Sequence, residues 1–197
     1  MVKKSVRRKI DRAIKNIWLS DICREFGEGR FIVEADIQCS FYHHLRQRLD
    51  PLFAENSLYI YPEFYVPGQG RRGQHIDLAV CEMDMSLPGL LRDRRTDTAA
   101  IIELKYGGGD DWISSDFPKM KGYMELFGRD CQYYFGVIDL RELSRMNWLD
   151  GRNRWARDCF TELNAGFIDG EMCFEVNSFN ALCPDLQRKR TRCGLVW

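Results

Sequence analysis

Between Gly73 and Tyr106 the order of apolar and polar residues twice falls into strict alternation. In GQHIDLAVCEMD, Ile76, Leu78 and Val80 alternate with Asp77, Ala79 and Cys81; in TAAIIELKY, Ala100, Ile102 and Leu104 alternate with Ile101, Glu103 and Lys105. A period of two predicts two strands. It puts Glu103 and Lys105 on one face of the second strand, about 7 Å apart, and Leu104 on the other. If the strands pair as a hairpin in suitable register, Asp77 joins them. Two carboxylates and a lysine on an otherwise apolar sheet are costly to desolvate unless they are paired or bound to a metal, which makes them candidates for chemistry. Glu-Leu-Lys alone is also the pattern of a strand with one solvated face, so the weight falls on the neighbouring elements.

Upstream, residues 3–26 carry Val6, Ile10, Ala13, Ile14, Ile17 and Trp18 at the spacing of an amphipathic helix that Gly27 and Gly29 break. Lys3, Lys4, Arg7, Arg8, Lys9, Arg12 and Lys15 make its first half basic, either a solvated face or a contact for phosphate or a protein partner. A second helix is expected over 33–49, with Pro51 as its stop. Glu34, Gln38, Phe41 and Leu45 share its inward stripe, flanked by Ile37 and Leu49, while Asp36 points the opposite way, toward water. A first-turn acid favoured by the helix dipole also accounts for Glu34. His43 and His44 read as surface or packing residues. The run SLYIYPEFYV at 57–66 predicts a strand that Pro62 places at an edge or a bulge.

Residues 68–73, GQGRRG, match a dinucleotide-binding glycine pattern only formally, because a strand rather than a helix follows. They read as a hairpin loop from which Arg71 and Arg72 could reach a phosphate backbone. Downstream, Gly107 to Asp111 predict a flexible loop. SSDFPKMKGYMELFG then predicts a helix with Asp116 as N-cap and Pro118 in the first turn. Its inward face carries Lys119, Met120, Tyr123 and Phe127, and Lys119 is a candidate phosphate contact. A strand over 131–140, a helix over 154–165, a short strand over 172–176 and a solvated basic tail at 187–192 complete the expected elements.

At 197 residues, 45% hydrophobic and 13% aromatic, the chain suits one well-buried core, so a single domain over 1–197 is expected. Twenty-nine basic residues balance 29 acidic ones; any affinity for a polyanion must come from local clusters. The eight cysteines lack a C-x-x-C pair and read as reduced, partly buried thiols of an intracellular protein rather than zinc ligands or disulfides. No signal peptide or membrane span is legible, so a soluble, cytoplasmic protein is expected.

The order is helix with inward Glu34, strand, strand with Asp77, strand with Glu103-Leu104-Lys105, helix, strand. Over residues 31–140 this resembles the PD-(D/E)XK nucleases, the restriction-endonuclease-like superfamily. The resemblance implies an α/β fold with an α-β-β-β-α-β core: a central mixed sheet flanked by helices, preceded by a basic helix (1–30) and followed by a helix-and-strand extension (141–197). It implies Asp77 and Glu103 as metal-binding carboxylates, with the Leu104 carbonyl a further ligand, and Lys105 as the catalytic lysine. Glu34, with Gln38 nearby, would be the first-helix contribution, orienting water or holding a second ion. Apart from the resemblance, Gln38, Arg7, Arg8, Arg71, Arg72 and Lys119 are the candidate contacts to nucleic acid. Two departures stand out. Ile76 rather than proline precedes Asp77, and the 26 positions from Asp77 to Glu103 imply a projecting hairpin, SLPGLLRDRRTD.

The chemistry suits these residues. Phosphodiester hydrolysis needs an activated water and charge neutralisation on the phosphoryl group, and carboxylate oxygens suit Mg²⁺, with Mn²⁺ as a substitute. The expected function is a metal-dependent nuclease, DNA endonuclease first, with nucleic acid as partner, no membrane and a homodimer left open. The alternative is a noncatalytic nuclease-like module that binds nucleic acid or a protein. A dinucleotide-dependent enzyme would rest on the glycine loop alone.

Overall fold

The computed structural model describes residues 1–67, 73–107, 110–143 and 156–194, with side chains other than those at 92, 110–117 and 142. Residues 4–27 form one helical rod: α1 (Lys4–Asn16), a π-helical turn (Ile17–Ile22) and α2 (Cys23–Gly27). The apolar stripe of the sequence is its buried side, with Ile14, Ile17 and Trp18 at 0% exposure. Helix α3 (Glu34–Glu55) packs beside it through Ile37, Phe41, Leu45, Leu49 and Phe53. It does not stop before Pro51, as expected. Pro51 lies inside the helix at an exposed position, and Phe53 anchors the turn beyond it in the core. Losing one main-chain donor at the solvent side is offset there by burial of the last turn. Asp36 is not simply solvated. Its Oδ2 accepts the N–H groups of Ile32 at 2.8 Å and Val33 at 2.9 Å, capping the helix start.

The strands are β1 (Leu58–Val66), β2 (Gln74–Met83), β3 (Arg95–Tyr106), β4 (Gln132–Glu142), β5 (Phe160–Ile168), β6 (Glu171–Ser178) and β7 (Arg188–Arg192). They make one mixed α/β sheet in sequential order, antiparallel from β1 to β3, parallel from β3 to β5, and antiparallel from β5 to β7. A parallel neighbour needs a crossover, and α4 (Asp110–Phe127) supplies it between β3 and β4. Strand β1 is an edge strand, and the Glu63 φ of 50° after Pro62 marks the irregularity expected there. Between β2 and β3 the chain returns through a 3₁₀ turn (Leu91–Arg94) that leaves Met85, Leu87, Leu90 and Leu91 exposed.

Each face of the sheet buries its own apolar layer. On one, Leu78, Val80, Ala100, Ile102, Leu104, Tyr134, Leu163 and Phe174 pack under the N-terminal rod and α3. On the other, Ala79, Cys81, Ile101, Tyr133, Phe135 and Phe160 meet Met120, Tyr123 and Met124 of α4. Trp18 is the centre of the first layer, its ring 5.3 Å from that of Phe174, and Gly136 on β4 is what lets it approach: a Cβ there would come within 2.7 Å of Leu104 and 3.3 Å of Trp18.

Two further expectations are corrected. Asp116 is not an N-cap, because α4 begins at Asp110 and Asp116 lies within it. Residues 160–165 are not helical but belong to β5. Glu162, Leu163 and Ala165 favour a helix locally, yet Leu163 and Ala165 fill one face while Phe160 fills the other, and pairing with β4 and β6 overrides the preference. The basic tail at 188–192 is exposed as expected, but it is the edge strand β7. All eight cysteines are free thiols, and only Cys39 is exposed. No helix among the described residues is long and apolar enough to cross a membrane.

Candidate active site

Backbone pairing of β2 with β3 runs from Met83–Arg95 to Leu78–Ile102 and ends there. One residue past that last pair, the side chain of Asp77 replaces the ladder: its Oδ2 accepts the Leu104 N–H at 2.6 Å, and its main-chain carbonyl accepts from Gln38 Nε2 of α3 at 2.8 Å. The alternation of β2 also breaks here. Leu78 belongs to the layer under the N-terminal rod, and Ile76 to the layer under α4. Asp77 is thus the residue at which β2 turns over, and its carboxylate sits in the opening between two strands.

Lys105 reaches the same opening from β3. Its Nζ lies 3.0 Å from Glu34 Oε1, with the lysine side chain 14% and the glutamate 37% exposed. Glu34 is held there by the capped start of α3, and Tyr106 adds a hydrogen bond of 3.0 Å from its hydroxyl to the Phe31 carbonyl just before that helix. Burial pushes the Asp77 carboxyl up to about 6; the Leu104 N–H and Lys105 pull it down, and the charges of Glu34 and Glu63 push it further up. Asp77, Glu34, Lys105 and Gln38 are therefore neighbours, drawn from β2, β3 and α3.

Compared with protein-family models, with curated proteins and with solved structures, the chain matches none. What the site can do rests on its own geometry.

Glu103 is 2% exposed and precedes Lys105 by two positions, on the side of β3 that Ile101 and the α4 layer share. Lys119 is half-buried on α4. Arg8 is exposed on α1. Arg7 is not an open phosphate contact: it is 6% exposed, bonds Asp97 Oδ2 at 2.7 Å and donates to the Thr98 and Ala99 carbonyls, so its charge ties α1 to the start of β3. Arg71 and Arg72 lie outside the described residues.

Glu63 belongs to the site although its sequence pattern does not announce it. The positive φ at this non-glycine position is a costly backbone conformation, and such strain clusters at functional sites. It brings Glu63 Oε1 within 3.0 Å of Gln38 Nε2, so that one amide joins Glu63 to the Asp77 carbonyl. Its carbonyl lies 3.2 Å from Nδ1 of His75. The signal available in the sequence was an acid directly after Pro62 in an otherwise aromatic strand.

Proposed function

We propose that this protein is a metal-dependent nuclease of the restriction-endonuclease-like type, hydrolysing phosphodiester bonds, with DNA as the first substrate to test. The observation that carries the reading is the Asp77 carboxyl, raised to about 6 in the opening between β2 and β3 beside the Lys105–Glu34 pair. The succession from α3 through β1, β2, β3 and α4 to β4 supports the topological part of the proposal, with β5 to β7 continuing the sheet.

The donor set suits a hard divalent cation. A carboxylate whose charge is opposed by burial and by two neighbouring acids gains from a cation, and its oxygens are the ligands Mg²⁺ and Mn²⁺ prefer. The Leu104 carbonyl leaves β3 on the same side as the N–H that Asp77 accepts, so it too faces the opening. No three His, Cys, Asp or Glu side chains among the described residues are grouped closely enough to cage an ion. Mg²⁺ needs no such cage; it commonly keeps several waters and takes one or two carboxylates. Asp77 and the Leu104 carbonyl would hold it, Glu103 being the second carboxylate that the resemblance implies, and it would supply Lewis acidity at the phosphoryl group.

The remaining work belongs to the side chains. Lys105 would orient or deprotonate the attacking water and offset charge on the phosphoryl oxygens. Glu34 positions the Lys105 ammonium, and Gln38 fixes the Asp77 backbone relative to Glu63. A second reading, a noncatalytic nuclease-like module, is favoured by one observation: the Lys105–Glu34 pair is satisfied as it stands.

Incubation with supercoiled, linear, branched and single-stranded DNA and with RNA, in Mg²⁺, Mn²⁺ or EDTA, separates the two. Strand scission in metal that EDTA abolishes is the expected outcome. Intact substrates in both metals, or cleavage indifferent to EDTA, would end the nuclease reading.

A further inference from the structure

We propose that the outer face of α1 and Lys189 of the edge strand β7 form one basic surface that binds the phosphate backbone of nucleic acid, separate from the Asp77 opening. This surface does not depend on whether that opening cleaves anything.

The first observation is a sorting of charge by the fold. The acids of the rod, Asp11, Asp21 and Glu25, are 0%, 6% and 9% exposed. Each is engaged inside: Asp11 by Lys15 at 2.8 Å and the Tyr134 hydroxyl at 2.8 Å, Asp21 by Arg48, and Glu25 by Ser40 and by His44 at 2.9 Å. Two of its bases, Arg7 and Lys15, are likewise buried. The charges that reach water on α1 are basic, Lys4, Arg8, Lys9 and Arg12, while Arg24 on α2 is engaged by Asp21, Glu25 and Glu28. The whole chain is neutral, so this positive face comes from a local basic run whose acid the fold turns inward.

The second observation is geometric. Lys4, Arg8 and Arg12 recur every four residues and line up along α1 at about 6 Å per step. That is close to twice the axial spacing of about 3.4 Å between phosphates on one DNA strand. At the end of this line Arg12 grips Asp185 with bonds of 2.7 and 2.9 Å. Lys189 of β7 adds its charge to the same carboxyl, which Arg12 chiefly holds below the usual range. Lys189 pairs with Val176, a member of the layer that the rod covers, so it faces the rod's side of the sheet. Asp185 is thus a pin between two basic elements that are more than 170 residues apart in sequence. β7 lies four strands from β3, about 19 Å away.

Charged residues on an edge strand also guard against unwanted pairing, which would account for β7 by itself. That argument leaves the one-signed helix unexplained. An anionic membrane is the less suitable partner: a membrane-surface helix offers an apolar face, and the apolar face of α1 is buried, with none of the exposed large hydrophobic residues on α1 or β7.

The test is fluorescence anisotropy with a labelled DNA duplex in EDTA, from 50 to 200 mM NaCl. Arg8→Glu, Lys9→Glu and Lys189→Glu are compared with Lys121→Glu on α4, on the other face of the sheet. Each reversal changes the net charge equally, and Arg12 is left intact because it joins helix to strand. The first three are expected to weaken binding about threefold to tenfold and to flatten the salt slope by about one each, with Lys121→Glu near the parent. A Lys189→Glu protein, folded by circular dichroism, that binds like Lys121→Glu would overturn the joined surface. So would a parent protein that ignores DNA, whether or not it sediments with phosphatidylserine vesicles. Binding in EDTA without cleavage in Mg²⁺ would retire the nuclease reading and leave this surface standing.

Discussion

Two lysine–carboxylate pairs, Lys15–Asp11 and Lys105–Glu34, have nearly the same separation, 2.8 and 3.0 Å, and opposite surroundings. The first pair is 0% exposed at both side chains. Asp11 also accepts from the Tyr134 hydroxyl and from Asn180 Nδ2 at 2.9 Å, and Lys15 donates a second bond to Asn180 Oδ1 at 3.2 Å. Charge and hydrogen bonds close on themselves there, joining α1, β4 and the segment after β6. The second pair is only partly covered, Lys105 14% and Glu34 37% exposed, and stands beside Asp77, whose carboxyl is raised chiefly by its own burial, with Glu34 and Glu63 adding to the rise and the Leu104 N–H and Lys105 opposing it. Burial of a charge does not by itself mark a working site. A closed network is what a fold needs, and an excess of one sign at an opening is what a ligand can satisfy.

The comparison is broken most forcefully at its structural end. Lys15→Ala leaves the Asp11 carboxylate buried without its cation, and a loss of about 3–5 kcal/mol in urea unfolding is expected. A loss of less than about 1 kcal/mol would mean that water reaches Asp11 and that the network is not closed. At the other end, Lys105→Ala should keep metal and DNA binding while cleavage falls by roughly two orders of magnitude or more. Cleavage at the parental rate by the folded variant would remove Lys105 from the chemistry.

Asp77 sharpens the contrast through pH. Its folded value of about 6 exceeds the ordinary value of about 4, so the folded protein holds this proton more tightly than the unfolded chain does. The stabilisation is fully present below about pH 4 and is lost as pH rises through about 6. Without metal, the melting temperature should therefore fall across that window, and Asp77→Asn should flatten the profile. Mn²⁺ affinity, followed by calorimetry, should rise as the pH passes 6, since the cation competes with the proton. An unchanged profile in Asp77→Asn would assign the transition to another group. The smallest effect is expected in the stability of Lys105→Ala, about 1 kcal/mol or less, because Glu34, 37% exposed, regains hydration when the lysine is removed. A loss equal to that of Lys15→Ala would erase the distinction between the two pairs.

Most of the opening was legible along the chain because faces are set locally. The helical period placed Glu34 and Gln38 on the inward stripe of α3, and from there they reach Lys105 and the Asp77 carbonyl. Glu63 was not legible. It depends on a single positive φ in β1, a departure from regular strand geometry that no periodicity encodes. The inward turn of Arg7 was hidden for another reason: its partners Asp97, Thr98 and Ala99 are 90 or more residues away.

The elements whose signals are local can be read from the chain alone: the amphipathic rod, the inward stripe of α3, the strands β1 to β4, and the residue types around Asp77. Assembly of the fold settled which charges became internal, that residues 160–168 would be a strand, that a helix would continue through Pro51, that Ile76 and Leu78 would part across the turn-over of β2, and that Arg12 would bond Asp185 in the turn before β7. The reason is one of range. Side-chain period and turn chemistry act over a few residues, whereas the burial that overrides helix preference in β5, or pairs Lys15 with Asn180 across 165 residues, exists only once the sheet has assembled.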